Sequence, residues 1–215
     1  MEKEYISNQI AVYKTNKKLL EFKDKLQFGN PLKYAHIHSF GEKDINGRNI
    51  VSNIGVLIQD YSNGTGDKMI KAEVNLSPED IQFIFNRLCI GQVDFEFNQE
   101  KISPKVEADG KSFVSKIIVK RAEKGPDGEV RKYPWYVVVE NGKGIAVKGD
   151  SGGTYIKPKS YTSDKKLYIN INDRDLFKLL KRVNSYIEVW EKLYGSHLIN
   201  QMLKTKEAMQ NPAWL

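Results

Sequence analysis

The chain has 215 residues, of which 40% are hydrophobic and 28% charged, and its formal net charge at pH 7 is +7. This length suffices to bury a core without covalent cross-links, and the single cysteine, Cys89, excludes an internal disulfide. No apolar run approaches the roughly 20 residues that span a bilayer, and the N-terminal segment lacks a signal-peptide pattern, so we expect a cytoplasmic protein with no membrane contact.

Four segments in the first part of the chain have the composition of β-strands, and an amphipathic segment follows them. The four segments span residues 19–29, 32–40, 49–61 and 68–76. Asn-Gly pairs at 46–47 and 63–64 are typical of turns between strands. Residues 77–88 then carry apolar side chains at helical spacing behind a capping serine. This pattern predicts a β-β-β-β-α unit that ends near Gly91.

Two kinds of chemically distinctive residue occur in this unit. His36 and His38 are spaced i, i+2, which places both imidazoles on one face of a strand. Such a pair is the beginning of a metal site, but no third ligand is evident nearby, so we predict no metal ion here. Cys89 lies in the apolar run FIFNRLCIG, and we expect a buried thiol without a reactive role.

A shift of 95 residues aligns residues 71–88 with residues 166–183 without a gap, which indicates an internal repeat. In both copies three alternating apolar residues form the inner face of a strand. Ser77 aligns with Asn172, and both are good N-cap residues for the helix that follows. An i, i+3, i+4, i+7 apolar stripe follows each cap. We therefore expect two structurally equivalent strand-to-helix units.

The segments between the two copies complete a second unit. Strand-like segments span residues 92–98, 111–122, 134–148 and 165–171. GPDG at 125–128 and the Asn-Gly pair at 141–142 predict turns within this unit. The sequence thus predicts one compact α+β domain made of tandem duplicated β-β-β-β-α units, with curved antiparallel sheets backed by helices. The first repeat spans residues 1–91, the second residues 92–195, and a helical extension or tail residues 196–215.

Two tandem units of this kind, over residues 10–195, resemble the Whirly-type fold, the single-chain relative of the dimeric family called positive cofactor four. The resemblance implies sheets that hold single-stranded DNA, with helices packed behind them. It also implies that assembly of several copies into a homo-oligomer is to be considered. The Lys-Gly-Lys-Ala-Ala-Leu segment of the plant Whirly proteins is absent, and NGKGIAVKG at 141–149 is similar to it only superficially. No binding residue is therefore transferred from that family.

A basic and aromatic region in the second unit is the predicted binding surface. Residues 101–168 contain 15 Lys and Arg against 8 Asp and Glu, a surplus of 7 in about one third of the chain. Cations that neutralise phosphates, interleaved with rings that stack on bases, are what a single-strand site requires. The predicted contacts are Lys116, Lys120, Lys132, Trp135, Tyr136, Lys143, Lys148, Tyr155 and Lys157.

The segment GDSGGTY at 149–155 contains the pentapeptide around the nucleophile of chymotrypsin-like proteases. That chemistry needs His and Asp before Ser in the chain and a fold of two six-stranded barrels. Neither histidine upstream of Ser151 has the expected context, and residues 172–210 predict nearly continuous helix. The preferred interpretation is a glycine-rich connection between strands, whose N–H groups and neighbouring lysines suit phosphate. A hydrolase that uses Ser151 is the less favoured alternative.

We therefore predict a non-enzymatic protein that binds single-stranded DNA with little sequence preference, in replication, recombination or the transfer of a mobile element. Neither a GxxxxGK[ST] loop nor a strand-linked GxGxxG segment occurs, and we expect no cofactor. RNA is an alternative ligand, and a scaffold or protein-interaction role is an alternative function. Trp214, in the terminal NPAWL, is a candidate anchor for a protein partner.

Overall fold

The computed structural model describes residues 7–30, 36–43, 46–150 and 152–210. The first half contains β1 (Gln9–Lys14), β2 (Lys18–Lys25), β3 (Phe40–Lys43), β4 (Asn49–Val51), β5 (Asn53–Asp60), β6 (Ile70–Leu76) and α1 (Pro78–Ile90). The second half contains β7 (Phe95–Val106), β8 (Ser112–Arg121), β9 (Trp135–Gly144), β10 (Ala146–Lys148), β11 (Thr154–Ile156), β12 (Thr162–Ile171) and α2 (Asp173–Gln210).

Each half folds into a four-stranded antiparallel sheet, a two-stranded hairpin and a helix. The first sheet has the strand order β1-β2-β5-β6, and the second has the order β12-β9-β8-β7. The hairpin β3–β4 is inserted between β2 and β5, whereas β10–β11 is inserted between β9 and β12. The predicted α+β class, with tandem four-stranded units each followed by a helix, is confirmed.

Both sheets and both helices contribute to one hydrophobic core. Alternation gives each sheet an apolar face, and both faces and both helices contribute side chains to one cluster of buried residues. The central side chains are Leu20, Phe22, Val56, Leu76, Ile81, Ile84, Ile117, Val119, Val137, Leu176 and Leu180. Each of them gains about 1.5–3 kcal/mol on complete burial. Because both halves supply them, the two repeats form a single packed unit.

Both helices begin with the same kind of cap. Ser77 Oγ accepts a hydrogen bond from the N–H of Asp80 at 3.1 Å, and Asn172 Oδ1 accepts one from the N–H of Asp175 at 2.8 Å. Each aspartate in turn accepts a hydrogen bond from its cap residue. The predicted equivalence of the two helix starts is confirmed. α1 ends at Ile90 and is capped by Gly91, whose φ of 74° lies in the left-handed region that favours glycine.

The Asn-Gly pair at 141–142 lies inside β9, so the turn predicted there is wrong. Asn141 is buried beside β6, an edge strand of the first sheet. Its Oδ1 accepts a hydrogen bond from the N–H of Glu73 at 2.9 Å, and its Nδ2 donates one to the Glu73 carbonyl at 2.8 Å. Gly142 lies so close to β12 that a Cβ would be 2.1 Å from the Thr162 carbonyl oxygen. The pair therefore serves strand packing and not chain reversal.

The other predicted turns lie where the sequence places them. The Asn-Gly pairs at 46–47 and 63–64 lie in the connections β3–β4 and β5–β6. The turn at 125–128 is closed by a hydrogen bond from the N–H of Gly128 to the carbonyl of Gly125 at 3.0 Å. At these three places the residues of the turn are thus sufficient to predict it.

Each edge strand of the two sheets is contacted by groups from outside its own sheet. On β6, besides Asn141, Lys101 Nζ donates a hydrogen bond to the carbonyl of Asn75 at 2.9 Å. On β12, Lys18 Nζ donates one to the carbonyl of Tyr168 at 3.0 Å. β1 packs against α2, and β7 contacts both strands of the β10–β11 hairpin.

One strand prediction for the first half is wrong, and one strand of the first sheet was not predicted. Within the predicted strand 32–40, residues 36–39 contribute only an isolated bridge between His38 and Phe28. The His38 ring instead stacks on Trp190 of α2, with ring centroids 4.9 Å apart. The fourth strand of the sheet is β1, which the sequence does not reveal because only Ala11 of its six residues is buried.

The exposure of Cys89 differs from expectation, whereas α2 is the nearly continuous helix that the sequence predicts. Cys89 is exposed and not buried, because it lies beside the apolar stripe of α1 and not within it. α2 continues without interruption through Gly195, which is packed so closely on Ile37 that a Cβ would lie 2.9 Å from its Cδ1. Trp214 lies outside the described residues.

In the part of the chain that the structure describes, no helix combines the length and the apolar character needed to cross a bilayer.

Candidate nucleic-acid interface

The second sheet has one face directed away from the helices, which we call the outer face. Antiparallel register arranges its residues in rows across the four strands. The rows are Glu96, Lys120, Tyr136 and Asn170, then Asn98, Ile118, Val138 and Tyr168, then Glu100, Lys116, Glu140 and Lys166. Alternate residues of the same strands, such as Ile117 and Val137, lie in the core, which establishes that these rows face outwards.

Two tyrosines form an aromatic pair on the outer face. The ring centroids of Tyr136 and Tyr168 are 5.4 Å apart, and Tyr168 is 46% exposed. Lys18 Nζ lies 4.0 Å from the centroid of the Tyr168 ring, and Lys120 lies directly across from Tyr136 on the neighbouring strand. An exposed ring beside a cation is the arrangement that binds a base and its phosphate.

The lysines of the outer face are paired with carboxylates on neighbouring strands. The pairs are Lys120–Glu96 at 2.6 Å, Lys116–Glu100 at 3.0 Å and Lys166–Glu140 at 3.5 Å. The three cations are thus balanced by three anions. Because such surface pairs contribute only about 0–1 kcal/mol each, a phosphate replaces a carboxylate partner at small cost.

A groove with a volume of about 280 Å³ lies at the middle of the outer face. Its walls include the apolar side chains of Ile118 and Val138 and the charged side chains of Lys116 and Glu140. Tyr161 lies over this charged pair, because its hydroxyl donates to Glu140 Oε1 at 2.8 Å and Lys116 Nζ is 3.9 Å from its ring centroid. Burial, and then this hydrogen bond, raise the pKa of Tyr161. The tyrosine is therefore a neutral donor at physiological pH.

The β10–β11 hairpin packs on one end of the same face. Ile156 contacts Gly144 so closely that a Cβ there would lie 3.1 Å from its Cγ2. Tyr155 is 53% exposed, and Lys148 and Lys157 have no ion-pair partner among the described residues. At about 3.3 Å per residue along β9, this end lies about 20–26 Å from the tyrosine pair.

The described residues 149–150 and 152–153 of the GDSGGTY segment connect β10 to β11, so its interpretation as a glycine-rich connection between strands is confirmed. The N–H of Gly149 donates to the carbonyl of Gly153 at 2.8 Å, and the N–H of Gly152 donates to the carbonyl of Gly149 at 2.9 Å. These two N–H groups are therefore used within the turn and do not face a phosphate. Ser151, the hypothetical nucleophile, lies outside the described residues.

Trp135 does not lie on the outer face, so its predicted role in stacking on a base is wrong. The side chain is 1% exposed in the core, and its Nε1 donates to Asp173 Oδ1 at 2.8 Å. Lys143 lies on the same side of β9 as Trp135. Its Nζ lies 2.6 Å from Glu107 Oε2 and 3.0 Å from Asp109 Oδ2. Hydrogen bonds to these two carboxylates raise the pKa of Lys143.

The remaining predicted residues fall into two groups and one isolated position. Lys116, Lys120 and Tyr136 lie together on the outer face, whereas Lys148, Tyr155 and Lys157 lie on or beside the hairpin. Lys132 lies in the β8–β9 connection, with its Nζ 5.6 Å from the ring centroid of Tyr133. Whether these residues bind nucleic acid stays a prediction.

The sequence-based set omitted two residues of the tyrosine cluster. Alternation contained a signal for Tyr168, because Leu167 and Ile169 on either side of it are inward-facing. Nothing in the sequence indicated Lys18, which reaches β12 from a strand 150 residues earlier in the chain.

His38 takes part in a buried contact that has the residue types of a catalytic triad. Its Nδ1 lies 2.9 Å from Ser52 Oγ, and its Nε2 lies 3.2 Å from Glu191 Oε1. Ser52 is only 3% exposed, so a substrate has no access to its hydroxyl. The contact instead connects the segment after β2 to α2. Across the described residues, no group of three His, Cys, Asp or Glu side chains is arranged to hold a metal ion.

No model of a protein family matches the sequence, and no curated protein matches it either. The fold is similar to those of two solved structures of Whirly proteins. One is WHY1 from Arabidopsis thaliana, with a TM-score of 0.45 and 12% identity over 95% of this chain and 94% of that chain. The other is the plant transcriptional regulator PBF-2, with a TM-score of 0.45 and 13% identity over 94% of this chain and 90% of that chain.

Proposed function

We propose that this protein binds single-stranded DNA with little sequence preference, without catalysing a reaction, through the outer face of its second sheet. The observation that supports this most directly is the Tyr136–Tyr168 pair with Lys18 and Lys120 beside it. A ring stacks on any base and a lysine neutralises any phosphate, so this cluster offers both interactions without reading sequence.

The β10–β11 hairpin extends the proposed surface at its other end. Lys148 and Lys157 offer cations that need not leave a carboxylate first, and Tyr155 offers a further exposed ring. A strand that runs from the tyrosine pair to the hairpin passes over the groove beside Lys116. The proposal therefore places phosphate contacts at both ends and base stacking mainly at the tyrosine pair.

Such a protein protects or presents single strands, in replication, recombination or the transfer of a mobile element. A duplex hides the faces of its bases, so stacking favours the single strand. The same rings and charges accept RNA, and the preference between DNA and RNA is an outcome of the experiment and not part of the proposal.

Fluorescence anisotropy tests the proposal with a labelled oligothymidine of about 30 nucleotides, a length that covers one or more typical binding sites. A matched duplex and a matched RNA are titrated in parallel at several salt concentrations. We expect the logarithm of the association constant for the single strand to fall linearly with the logarithm of the salt concentration, because lysines that bind phosphates release counterions from the DNA. Absence of binding at low salt contradicts the proposal.

Tyr168→Ala tests the stacking cluster. We expect its affinity for the oligothymidine to fall about 5- to 150-fold, which corresponds to about 1–3 kcal/mol for one stacked base. Tyr186→Ala is the matched control, because Tyr186 is a partly exposed tyrosine on α2. Equal affinities for the two variants show that the outer face is not the interface.

The double variant Glu96→Gln and Glu100→Gln tests the role of the paired lysines. It removes the carboxylates that neutralise Lys120 and Lys116. We expect tighter binding with a steeper salt dependence, because the two lysines then meet the phosphates without competition. Unchanged affinity would place the phosphates elsewhere on the molecule.

A further inference from the structure

A second cavity lies between the end of α1 and the start of α2, on the opposite side of the second sheet from the outer face. Its volume is about 430 Å³. The lining includes Leu88, Arg121, Trp135, Asp173, Arg174 and Phe177. Arg121 and Trp135 are paired across β8 and β9, one position away from Lys120 and Tyr136, so strand alternation directs them away from the outer face. The proposed DNA-binding function makes no use of this cavity.

Three of the residues that line the cavity are large apolar side chains. Leu88 comes from the last turn of α1, Trp135 from the start of β9, and Phe177 from the second turn of α2. Phe177 packs on Phe85 with ring centroids 5.8 Å apart, yet it remains 43% exposed. A cavity of this size with apolar walls suits one or two apolar side chains of a partner.

The polar groups at this cavity leave one positive charge unmatched. Asp173 Oδ1 lies 3.2 Å from Arg121 Nε and accepts the hydrogen bond from Trp135. Burial raises the pKa of Asp173, but the hydrogen bonds from Arg121 and Trp135 outweigh it and hold that pKa below its ordinary value. The Asp173–Arg121 pair therefore stays ionised. Arg174 has no ion-pair partner among the residues that the structure describes.

The positive charge continues along α2 away from the cavity. Arg174, Lys178 and Lys181 recur at i, i+4 and i+7, so they form a strip on one exposed side of the helix. Lys181 Nζ lies 5.8 Å from the centroid of the Phe85 ring, which brings the strip beside the apolar walls. An apolar cavity bordered by cations is complementary to an acidic segment that carries an apolar side chain.

We propose that this cavity docks an acidic protein segment, with an apolar side chain inserted between α1 and α2 and carboxylates paired with Arg174 and Lys178. A single cavity between the ends of two helices favours one projecting side chain, whereas a nucleic-acid strand needs a continuous track on which successive bases stack. The surface would give a protein that holds DNA on one side a second contact on the other.

The test uses fluorescence anisotropy with the full chain and a short fluorescein-labelled peptide of Asp and Glu around a central Phe-Leu pair. Two control peptides replace Phe-Leu by Ser-Ser, or every Asp and Glu by Asn and Gln. We expect only the first peptide to bind tightly. Arg174→Glu should weaken its binding about tenfold or more, since a charge-assisted pair is replaced by a repulsive one. Phe177→Ala should also weaken it.

Lys204→Glu is the matched control, because it makes the same charge change in the exposed distal part of α2. A glutamate in place of Arg174 suits the first turn of a helix, so the variant should fold. Equal binding of the Phe-Leu and Ser-Ser peptides, or equal losses in Arg174→Glu and Lys204→Glu, overturns the proposal.

Oligothymidine separates this proposal from the DNA-binding function. If Arg174→Glu abolishes oligothymidine binding and leaves peptide binding unchanged, the strip is a nucleic-acid site and the docking proposal is wrong. Tyr168→Ala should leave peptide binding unchanged. The DNA-binding proposal and the docking proposal can therefore fail independently of each other.

Discussion

Asn141 connects the two sheets through one side-chain amide. The amide pairs with both the N–H and the carbonyl of Glu73 at the edge of β6, as the peptide group of a neighbouring strand would. This position needs a donor and an acceptor together, which an aspartate does not supply, because an ionised carboxylate only accepts hydrogen bonds.

Asn141→Ala should lower the free energy of unfolding by about 1–3 kcal/mol, because it leaves the two backbone groups of Glu73 without partners. Urea denaturation monitored by tryptophan fluorescence measures the change. Asn170→Ala is the control, because Asn170 is an exposed strand asparagine on the outer face, and its effect should stay within about 0.5 kcal/mol. Equal effects of the two substitutions would mean that the amide bridge contributes nothing.

Single residues also show where sequence-based prediction of the site succeeds and fails. Alternation places Trp135 and Tyr136 on opposite faces of β9, but both faces of this strand are apolar. Which face is exposed to solvent is therefore decided only when the rest of the core packs against Val137. The ion pair of Lys120 with Glu96 depends on the register of β7 and β8, which local sequence does not encode. Lysine-rich segments therefore indicate the region of the candidate site but not its balance of charge.

At the scale of elements, the repeated strand-to-helix unit was predictable because its signals are local. A cap residue, an acidic first turn and an apolar stripe all lie within about four turns of helix. β1 escaped prediction because an edge strand that buries one alanine has no pattern that differs from a loop. The long α2 was predicted as nearly continuous helix, and the buried Gly195 within it is explained by its contact with Ile37.

The two caps predict equivalent effects in the two halves. Ser77→Ala and Asn172→Ala should each destabilise the protein by about 1 kcal/mol, because the N–H of Asp80 or Asp175 loses its acceptor. Ser77→Asp and Asn172→Asp keep an acceptor and should retain most of the stability. Thermal unfolding followed by circular dichroism distinguishes the variants. Equal melting temperatures for the alanine and aspartate variants would contradict the capping role.

At the scale of the whole molecule, the shared core predicts that the two repeats unfold together. Each sheet face is buried by groups from both halves, so neither half has a complete core of its own. Three carboxylates reinforce contacts between elements of this unit, namely Glu73, Glu140 and Asp173. Burial raises each of their pKa values, but hydrogen bonds and ion pairs outweigh it and hold the pKa below its ordinary value.

Stability should therefore fall on the acid side. A carboxylate whose pKa is lower in the folded than in the unfolded state stabilises the protein fully above its unfolded pKa, which is about 4, and loses this contribution as the pH falls through the folded value. We expect the melting temperature to stay nearly constant from about pH 7 to 5 and to fall below about pH 4.

Glu73→Gln assigns part of this dependence to one residue. The variant loses the ionised partner of Lys23 and Lys25, so it should melt below the unmodified protein at neutral pH. The difference should narrow as the pH falls, because the carboxyl group of the unmodified protein is then protonated as well. A difference in melting temperature between the two proteins that is the same at every pH would show that the pKa of Glu73 is not lowered by folding.

The contacts on the sheet edges limit how copies of this protein can associate. Growth of a sheet from one molecule into the next requires an unpaired row of N–H and carbonyl groups. Here Lys18 reaches the edge of β12, Asn141 and Lys101 reach β6, and α2 and the second hairpin lie beside β1 and β7. Because described groups already contact all four of these edges, growth of either four-stranded sheet from one copy into the next is disfavoured.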